Sequence, residues 1–265
     1  MRLYFALGRV ALQEALQYRV EAAIWFLYDV GPPIMMACVW IAAYEGQASV
    51  AGYNLGEMLV YTVGVMVLRT MLTSHIEWGM DWEIRQGLLS TYLVRPFSVW
   101  GFWFMCEAAW KVVRGMLIVP VLLIVAVWLG PLVGNVTLSL EQLPLFALSL
   151  VLAYVVCFLM KLCIGFIGFW TNDISGPATF YEVTASILGG VLVPLALLPG
   201  PLQTVAAFLP VQAVYSVPLV LLLGKGDGAN PWNGLLVQVG WIVGLWLLGA
   251  VLWRAGLRRY ESVGG

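Results

Sequence analysis

The chain has 265 residues, of which 62% are hydrophobic and only 10% are charged. Soluble domains carry charge on roughly a quarter of their residues. This composition, with a mean hydropathy of +0.92, therefore excludes an ordinary soluble enzyme and a disordered chain. The 13 Lys and Arg residues nearly balance the 14 Asp and Glu residues, which excludes nucleic acid as a partner. We predict an all-α integral membrane protein in contact with lipid.

Six transmembrane helices are predicted from the apolar windows of the sequence. A helix needs about 20 mostly apolar residues to cross a bilayer core of about 30 Å. Five windows meet this length without ambiguity, and a sixth lies in a proline-interrupted region. The predicted spans are 20–44, 56–78, 100–129, 143–170, 177–198 and 232–253.

The region 177–223 allows either one or two crossings, because prolines interrupt its apolar stretches. Two crossings would separate the C-terminal arginines from the arginines of the N-terminus and of the 79–98 loop. The positive-inside rule disfavours that arrangement. We therefore predict one crossing followed by a proline-rich re-entrant hairpin at 201–223. Both termini are then cytoplasmic, and Lys225 is the only basic residue on the outer side.

The segment that precedes the first predicted span, residues 1–19, has a polar strip beside apolar residues at helical spacing. This pattern predicts an N-terminal interfacial helix on the inner membrane face. The alternative is a plain cytoplasmic extension of the first span. With the outer loops short, the whole chain, 1–265, is predicted to form a single transmembrane domain.

Residues for enzymatic chemistry are sparse in the sequence. His75 is the only histidine, and the four cysteines form no C-x-x-C pair, so no metal site is predicted. No G-x-S-x-G or H-E-x-x-H motif occurs. The single Gly-Lys pair, Gly224–Lys225, lacks the glycine spacing and the Ser or Thr of a phosphate-binding loop. We expect no catalytic residues and no cofactor, so a separate polypeptide must hydrolyse any ATP that drives this protein.

Two charged residues are predicted to lie deep in the membrane, where each costs about 2.5–3.5 kcal/mol on insertion scales. Asp29 lies eight residues beyond Glu21, and Arg69 lies eight residues before Glu77. Both are thus about 12 Å from the inner boundary. We predict an ion pair between Asp29 and Arg69 on adjacent antiparallel helices, serving as a packing clamp or as part of a substrate vestibule. The alternative is that they never meet.

Four further charged residues lie nearer the inner boundary in this topology. Lys161 and Glu182 are expected there because a lysine can extend its ammonium group towards water. Glu107 and Lys111 have the i,i+4 spacing that stabilises a helix. A structural role is favoured for all four.

The loop between the second and third spans, D-W-E-I-R-Q-G-L-L-S-T-Y-L-V-R-P at 81–96, is the most informative stretch. It begins with acidic residues and places Trp82, Leu89 and Leu93 on one helical side. Pro96 ends the pattern. These features predict a short amphipathic helix on the inner face that docks on a soluble partner. A loop that touches only lipid is the alternative.

The pattern E-x-R-x-G-x-L-x-x-x-L-x-R-P, from Glu83 to Pro96, resembles the first cytoplasmic loop in permease subunits of type 2 ABC exporters, particularly in a prokaryotic branch of that family. The Gly168-Phe169-Trp170 sequence and the later glycine and proline series also resemble that branch. The resemblance implies six spans, an N-terminal connecting helix and a coupling helix at 81–96. It further implies pairing with a second permease subunit, identical or related, and with separate ATPase subunits in a bacterial inner membrane.

Seven loop residues are expected to contact the ATPase subunit: Trp82, Glu83, Arg85, Gly87, Leu89, Leu93 and Arg95. The leading hypothesis is a permease that exports a hydrophobic or amphipathic compound, since an apolar wall suits such cargo. The rival is a six-span anchoring or assembly protein, or a small channel, that works without ATP. A neighbouring gene for a soluble ATPase would favour the transporter.

Overall fold

The computed structural model describes residues 19–134, 142–225 and 232–260, together with positions 13, 17 and 230. Side chains are described in these ranges except at 19, 21–23, 25, 26 and 29. The predicted interfacial helix at 1–19 thus lies almost wholly outside the described residues. The described part is helical throughout and contains no β-strand.

Eleven α-helices follow one another in the described residues. They are α1 (Arg19–Ala43), α2 (Leu55–Leu72), α3 (Ile76–Arg85), α4 (Leu89–Leu93), α5 (Val99–Val133), α6 (Leu143–Phe166), α7 (Ser175–Leu188), α8 (Gly200–Ala207), α9 (Val211–Val214), α10 (Ser216–Leu222) and α11 (Trp232–Arg259). Short 3₁₀ turns follow α6 at Ile167–Phe169 and precede α8 at Leu195–Leu197.

Side-chain caps explain where two of the long helices begin. Asn54 and Glu57 form a reciprocal capping box at the start of α2, with N···O distances of 2.8 and 2.9 Å. Ser98 accepts a hydrogen bond from the backbone N–H of Gly101 at the start of α5. At the other end of α5, Gly134 adopts a φ of +52°, a conformation that side chains disfavour, and the helix ends.

The helices bury two apolar cores. The larger core surrounds α6, which packs along α11 and also contacts α3, α9 and α10. Leu162 and Phe166 lie at its centre. The smaller core joins α1, α2 and α5 around Leu59 and Met66. Helix α2 takes part in both cores and therefore links the two groups of helices.

Contacts between distant segments define two ends of the bundle. At the end that carries the loop at 81–96, the backbone N–H of Ser90 donates to the hydroxyl of Tyr260, 3.2 Å away, at the end of α11. At the Lys225 end, the ammonium of Lys225 lies 2.6 Å from the carboxylate of Glu57, near the start of α2. Tyr44 donates there to the carbonyl of Tyr53 at 2.9 Å. The loop after α2 and the C-terminal end of α11 therefore lie on the same side of the molecule.

Four helical stretches in the described residues are long and apolar enough to cross a membrane: Leu55–Arg85, Val99–Val133, Leu143–Phe169 and Trp232–Arg259. They correspond to the second, third, fourth and sixth predicted spans. The first predicted span coincides with α1, of which Val30–Ala43 is an apolar helical stretch among the described residues. The total of six spans stays a prediction.

The fifth predicted span, 177–198, is corrected in its helical extent. Helix α7 ends at Leu188 and is roughly 21 Å long at 1.5 Å per residue, less than a bilayer core requires. Gly190 ends it with a φ of +86°, and a Cβ there would lie 2.6 Å from the hydroxyl of Tyr61. That hydroxyl donates to the Gly190 carbonyl at 2.6 Å, which fixes the turn against α2.

The segment predicted as a re-entrant hairpin, 201–223, consists of the short helices α8, α9 and α10. Leu197 before it and Leu223 at its end both pack on the cluster of Tyr44, Tyr53 and Met58 at the Lys225 end. Between them the carbonyl of Ala213 accepts from Gln238 at 2.8 Å, inside the bundle. The segment thus leaves one end, enters the bundle and returns, although its position in a bilayer stays a prediction.

Candidate functional site

The loop predicted to be cytoplasmic forms two helices rather than the single predicted helix at 81–96. Helix α3 ends at Arg85, and α4 occupies only Leu89–Leu93. The break occurs because Gly87 adopts a φ of +71°, a left-handed conformation that a continuous right-handed helix does not contain. The hydroxyl of Ser90 donates to the Gly87 carbonyl at 2.7 Å and stabilises the turn.

Two of the seven predicted contact residues are buried inside the chain. Leu89 is fully enclosed in the larger core. Glu83 is also buried, and its carboxylate accepts a hydrogen bond from the Trp103 indole at 3.2 Å. Tyr92 hydrogen-bonds the same carboxylate, and burial followed by the charge of Glu83 raises the pKa of Tyr92 to about 12. Glu83 and Leu89 are therefore corrected: they hold the loop in place and do not form its outer surface.

The outer surface of the loop is apolar to an unusual degree. Trp82 is 56% exposed and Val94 is 85% exposed, and Leu88 and Leu93 are also largely exposed. Arg95 is exposed beside them and places its guanidinium 5.6 Å from the centre of the Tyr92 ring. We call Trp82, Leu88, Leu93, Val94 and Arg95 the loop patch. Leu88 and Val94 were not predicted, because a single continuous helix would have placed them on different faces from Trp82 and Leu93.

Arg85 connects this loop to the turn that follows α6. Its guanidinium pairs with the buried carboxylate of Asp81 and donates to the backbone carbonyl of Asn172 at 2.9 Å. Asp173, next in the chain, binds the hydroxyl and the backbone N–H of Ser175 at the start of α7. These hydrogen bonds lower the pKa of the Asp173 carboxyl. Arg85 thus links α3 to the base of α7, and Gly87 sits in the turn between α3 and α4.

A buried ion-pair cluster joins α3, α6 and α7. The ammonium of Lys161, on α6, lies 2.7 Å from a carboxylate oxygen of Glu77 on α3 and 2.7 Å from one of Glu182 on α7. The side chains of Lys161 and Glu77 are 2% and 1% exposed, while that of Glu182 is 49% exposed. The Lys161 ammonium also faces the ring of Tyr181, 4.5 Å from its centre. Three helices are therefore joined through one lysine.

A cavity of about 750 Å³ opens beside this cluster. Its size lies within the range of small-molecule sites, about 300–1,000 Å³. Helices α1, α2, α3, α5 and α7 contribute to its wall. The lining residues include aromatic, charged and small polar side chains: Tyr28, Arg69, Thr73, His75, Glu77, Trp78, Glu107, Trp110, Lys111, Arg114, Ala178, Thr179, Glu182 and Ser186.

The α5 side of the cavity carries its own ion pair. Lys111 and Glu107 approach to 3.3 Å, as their i,i+4 spacing predicts. The Lys111 ammonium also donates to the backbone carbonyl of Thr73, where α2 ends. One turn further along α5, Arg114 is buried. Lys111 thus fixes α5 against the junction between α2 and α3.

The predicted pair of Asp29 and Arg69 is only partly placed by the structure. Arg69 lines the cavity, whereas the side chain of Asp29 lies outside the described side chains. Tyr28, its neighbour on α1, lines the same cavity. The pairing itself therefore stays a prediction, and its expected location coincides with the cavity.

Sequence reasoning missed the meeting of Glu77, Lys161 and Glu182. Each lies in or next to a different apolar stretch, and each was interpreted separately as a residue at the inner boundary. The available signal was Lys161 itself, an ammonium among the apolar residues of α6, because a charge in that position needs a partner. Which carboxylates partner it depends on tertiary packing.

Among the described residues, no group of three or more His, Cys, Asp or Glu side chains is arranged to hold a metal ion. The four cysteines are free thiols.

A family model described as "ABC-2 family transporter protein" matches residues 30–264. No curated protein matches the chain. The match includes the loop at 81–96, every lining residue of the cavity except Tyr28 and every described helix from Val30 onwards.

Proposed function

The chain belongs to the ABC-2 family of transporter proteins, and we propose that it is the permease subunit of an exporter that moves a hydrophobic or amphipathic compound. Family membership makes it a multi-pass membrane protein and a transporter subunit that works with an ABC ATPase. In this proposal the ATPase is a separate polypeptide that docks on the cytoplasmic loop. The membrane is the bacterial inner membrane, both termini are cytoplasmic, and six segments cross it.

The loop patch is the observation that carries the proposal. Four large apolar side chains and one arginine are exposed on a loop whose other side is anchored in the core by Glu83 and Leu89. Exposed apolar groups that cluster on a rigid support are typical of a protein interface. The proposed ATPase contact is therefore Trp82, Leu88, Leu93, Val94 and Arg95, with Arg85 and Gly87 shaping the surface.

The anchored side of the loop supports a role in transmission as well as in docking. Helix α3 follows α2 within the 31-residue stretch Leu55–Arg85. Through Glu77 and Lys161 it contacts α6, and through Arg85 it contacts the base of α7. A displacement of the loop by the ATPase would thus move α3 and, through these contacts, act on α6 and α7.

A second permease subunit, identical or related, completes the proposed transporter. Helices α5 and α11 expose many large apolar side chains along most of their length. Lipid or a second subunit must cover these faces, because apolar surface of this extent is unfavourable in water. A pathway between two copies would place the two loop patches on the same side, each on one ATPase subunit.

Co-purification tests the docking surface. The wild-type chain and the double variant Trp82→Ala/Val94→Ala are purified from native membranes in mild detergent, and ATPase activity is measured in each eluate. We expect the wild type to retain ATPase and the variant to lose at least about 90% of it, a tenfold drop that corresponds to about 1.4 kcal/mol. The matched control is Val39→Ala/Phe208→Ala, which removes exposed apolar side chains outside the loop.

Each outcome of this experiment is decisive for one part of the proposal. Retention of ATPase by the loop variant would refute the loop patch as the contact. An equal loss in the control variant would show that general destabilisation is responsible. If no ATPase accompanies the wild type in several detergents, the ATP-driven function is wrong, and the anchoring or channel alternative takes its place.

A further inference from the structure

We propose that the cavity beside Lys161 is the binding site of a lipophilic cation, an organic amine or onium compound with an aromatic or branched apolar body. The proposal rests on the transporter function above and deepens it by naming the chemical class of the ligand. Its observations are the charge of the buried cluster, the tryptophans around it and the volume of the cavity.

The cluster presents an excess carboxylate to the cavity. Lys161 and Glu77 are both almost fully buried and neutralise each other as a pair. Glu182 also binds Lys161, but about half of its side chain is exposed. Two carboxylates therefore share one ammonium, and the surplus negative charge belongs to the more accessible of the two. A cation that enters the cavity can approach Glu182 without displacing the buried pair.

The positive groups of the cavity wall are less accessible than Glu182. Lys111 is engaged by Glu107 and by the Thr73 carbonyl. Arg114 is buried, and Arg69 is partly buried. Because the interaction between charges weakens with distance and with intervening polar groups, a ligand at the α7 wall interacts mainly with the exposed carboxylate.

Aromatic rings surround the same space. Trp78 and Tyr28 line the cavity and are 44% and 65% exposed, and Trp110 lines it from α5. The face of a tryptophan ring attracts a cation electrostatically and also offers apolar contact. A carboxylate among such rings is suited to a cation with an apolar body. A small hydrated cation would gain little from the rings.

Two probes of the same shape and opposite charge test the proposal: tetraphenylphosphonium, a cation, and tetraphenylborate, an anion. The full chain is placed in phosphatidylcholine nanodiscs without any ATPase. Binding of each radiolabelled probe is measured by equilibrium dialysis, with empty nanodiscs of the same lipid subtracted. We expect saturable binding of tetraphenylphosphonium and at least about tenfold weaker binding of tetraphenylborate, a difference of about 1.4 kcal/mol.

Three variants locate the site. Glu182→Gln should weaken tetraphenylphosphonium binding about tenfold, again about 1.4 kcal/mol. Trp78→Leu should weaken it about threefold or more, because it removes the ring but keeps apolar bulk. Glu45→Gln is the matched control, since Glu45 is exposed in the loop between α1 and α2, at the Lys225 end, and should leave the affinity unchanged. The unfolding temperature of each variant is measured alongside.

The proposal is overturned if tetraphenylborate binds as tightly as tetraphenylphosphonium, or if a folded Glu182→Gln variant binds the cation like the wild type. An equal effect of Glu45→Gln would also refute it, because the cation would then respond to overall charge. If Glu182→Gln fails to fold, the comparison of the two probes on the wild type still decides. These measurements need no ATPase, so their failure leaves the docking proposal standing.

Discussion

Lys161 is the centre of the buried ion-pair cluster formed with Glu77 and Glu182. Its ammonium is removed from water and has carboxylate partners on two other helices. A buried pair is not a strong source of stability, because desolvation of both charges offsets their attraction. Its importance lies in the consequence of losing one partner, which leaves the other charge buried without compensation.

Replacing this lysine by an apolar residue of similar length should be strongly destabilising. In the Lys161→Met variant, Glu77 keeps its buried position but loses its cation, and we expect a loss of about 3–5 kcal/mol in the free energy of unfolding. The double variant Lys161→Met/Glu77→Gln should recover a large part of that loss, because it removes the isolated charge. Denaturant-induced unfolding in micelles measures both values.

The ion pair at the opposite end of the molecule provides a comparison. Lys225 and Glu57 lie 2.6 Å apart with about a fifth of each side chain exposed. Water therefore compensates part of the lost contact in Lys225→Met, and its effect should be smaller than that of Lys161→Met. If Lys161→Met were no more destabilising than Lys225→Met, the cluster would not be desolvated as the structure indicates.

At the scale of elements, α11 shows how one glycine permits close packing. Gly256 lies where α11 packs on the 3₁₀ turn after α6, and a Cβ at this position would overlap the ring of Phe169. That ring is buried and also contacts Trp253 and Tyr260. The turn cannot move aside without disturbing the aromatic contacts beneath the loop.

Gly256→Ala should therefore destabilise the protein. Overpacking of this kind costs about 1–3 kcal/mol, which exceeds the helix-propensity gain of about 1 kcal/mol at most. Gly244→Ala is the matched control on the same helix, because a Cβ there would meet no atom within 4 Å. The unfolding temperature in detergent should fall for Gly256→Ala only. Equal temperatures for the two variants would contradict the close approach of α11 to the turn.

Sequence patterns predicted the long elements well and the interrupted ones poorly. The windows at 100–129, 143–170 and 232–253 coincide with α5, α6 and α11 because an apolar run of such length leaves helix as the only way to satisfy its backbone. The helix predicted at 81–96 and the helix predicted at 177–198 extend beyond the helices that the structure has there. Gly87 and Gly190 end those helices with positive φ angles, and a glycine in a sequence does not reveal which sign of φ it adopts.

For the candidate site, too, sequence patterns predicted some features and missed others. The spacing of Trp82 and Leu93 predicted that they lie on an apolar side of the loop that faces outwards. The burial of Glu83 and Leu89 could not, since it depends on Trp103 of α5 and on the larger core, both distant in sequence. Composition likewise indicated charges inside the membrane, whereas their grouping around Lys161 and the cavity required the packed helices.

For the whole molecule, the contact of Ser90 with Tyr260 has a consequence for topology. It holds the C-terminal end of α11 beside the loop at 81–96, and the ring of Phe169 packs against Tyr260 at the same end. We therefore predict that the chain from the start of α7 to the start of α11 crosses the bilayer once, with a hairpin at 201–223. Two full crossings would place the C-terminal end of α11 on the side opposite the loop.

Cysteine labelling distinguishes the two topologies. Single cysteines are introduced at Gln47, Thr91 and Arg259, all exposed, in a background whose four native cysteines are replaced by alanine. A membrane-impermeant maleimide is applied to right-side-out and to inside-out vesicles. We expect Gln47→Cys to react in right-side-out vesicles, and Thr91→Cys and Arg259→Cys to react only in inside-out vesicles. Labelling of Thr91→Cys and Arg259→Cys from opposite sides would require two crossings at 177–223, and would separate Ser90 from Tyr260 by the thickness of the membrane.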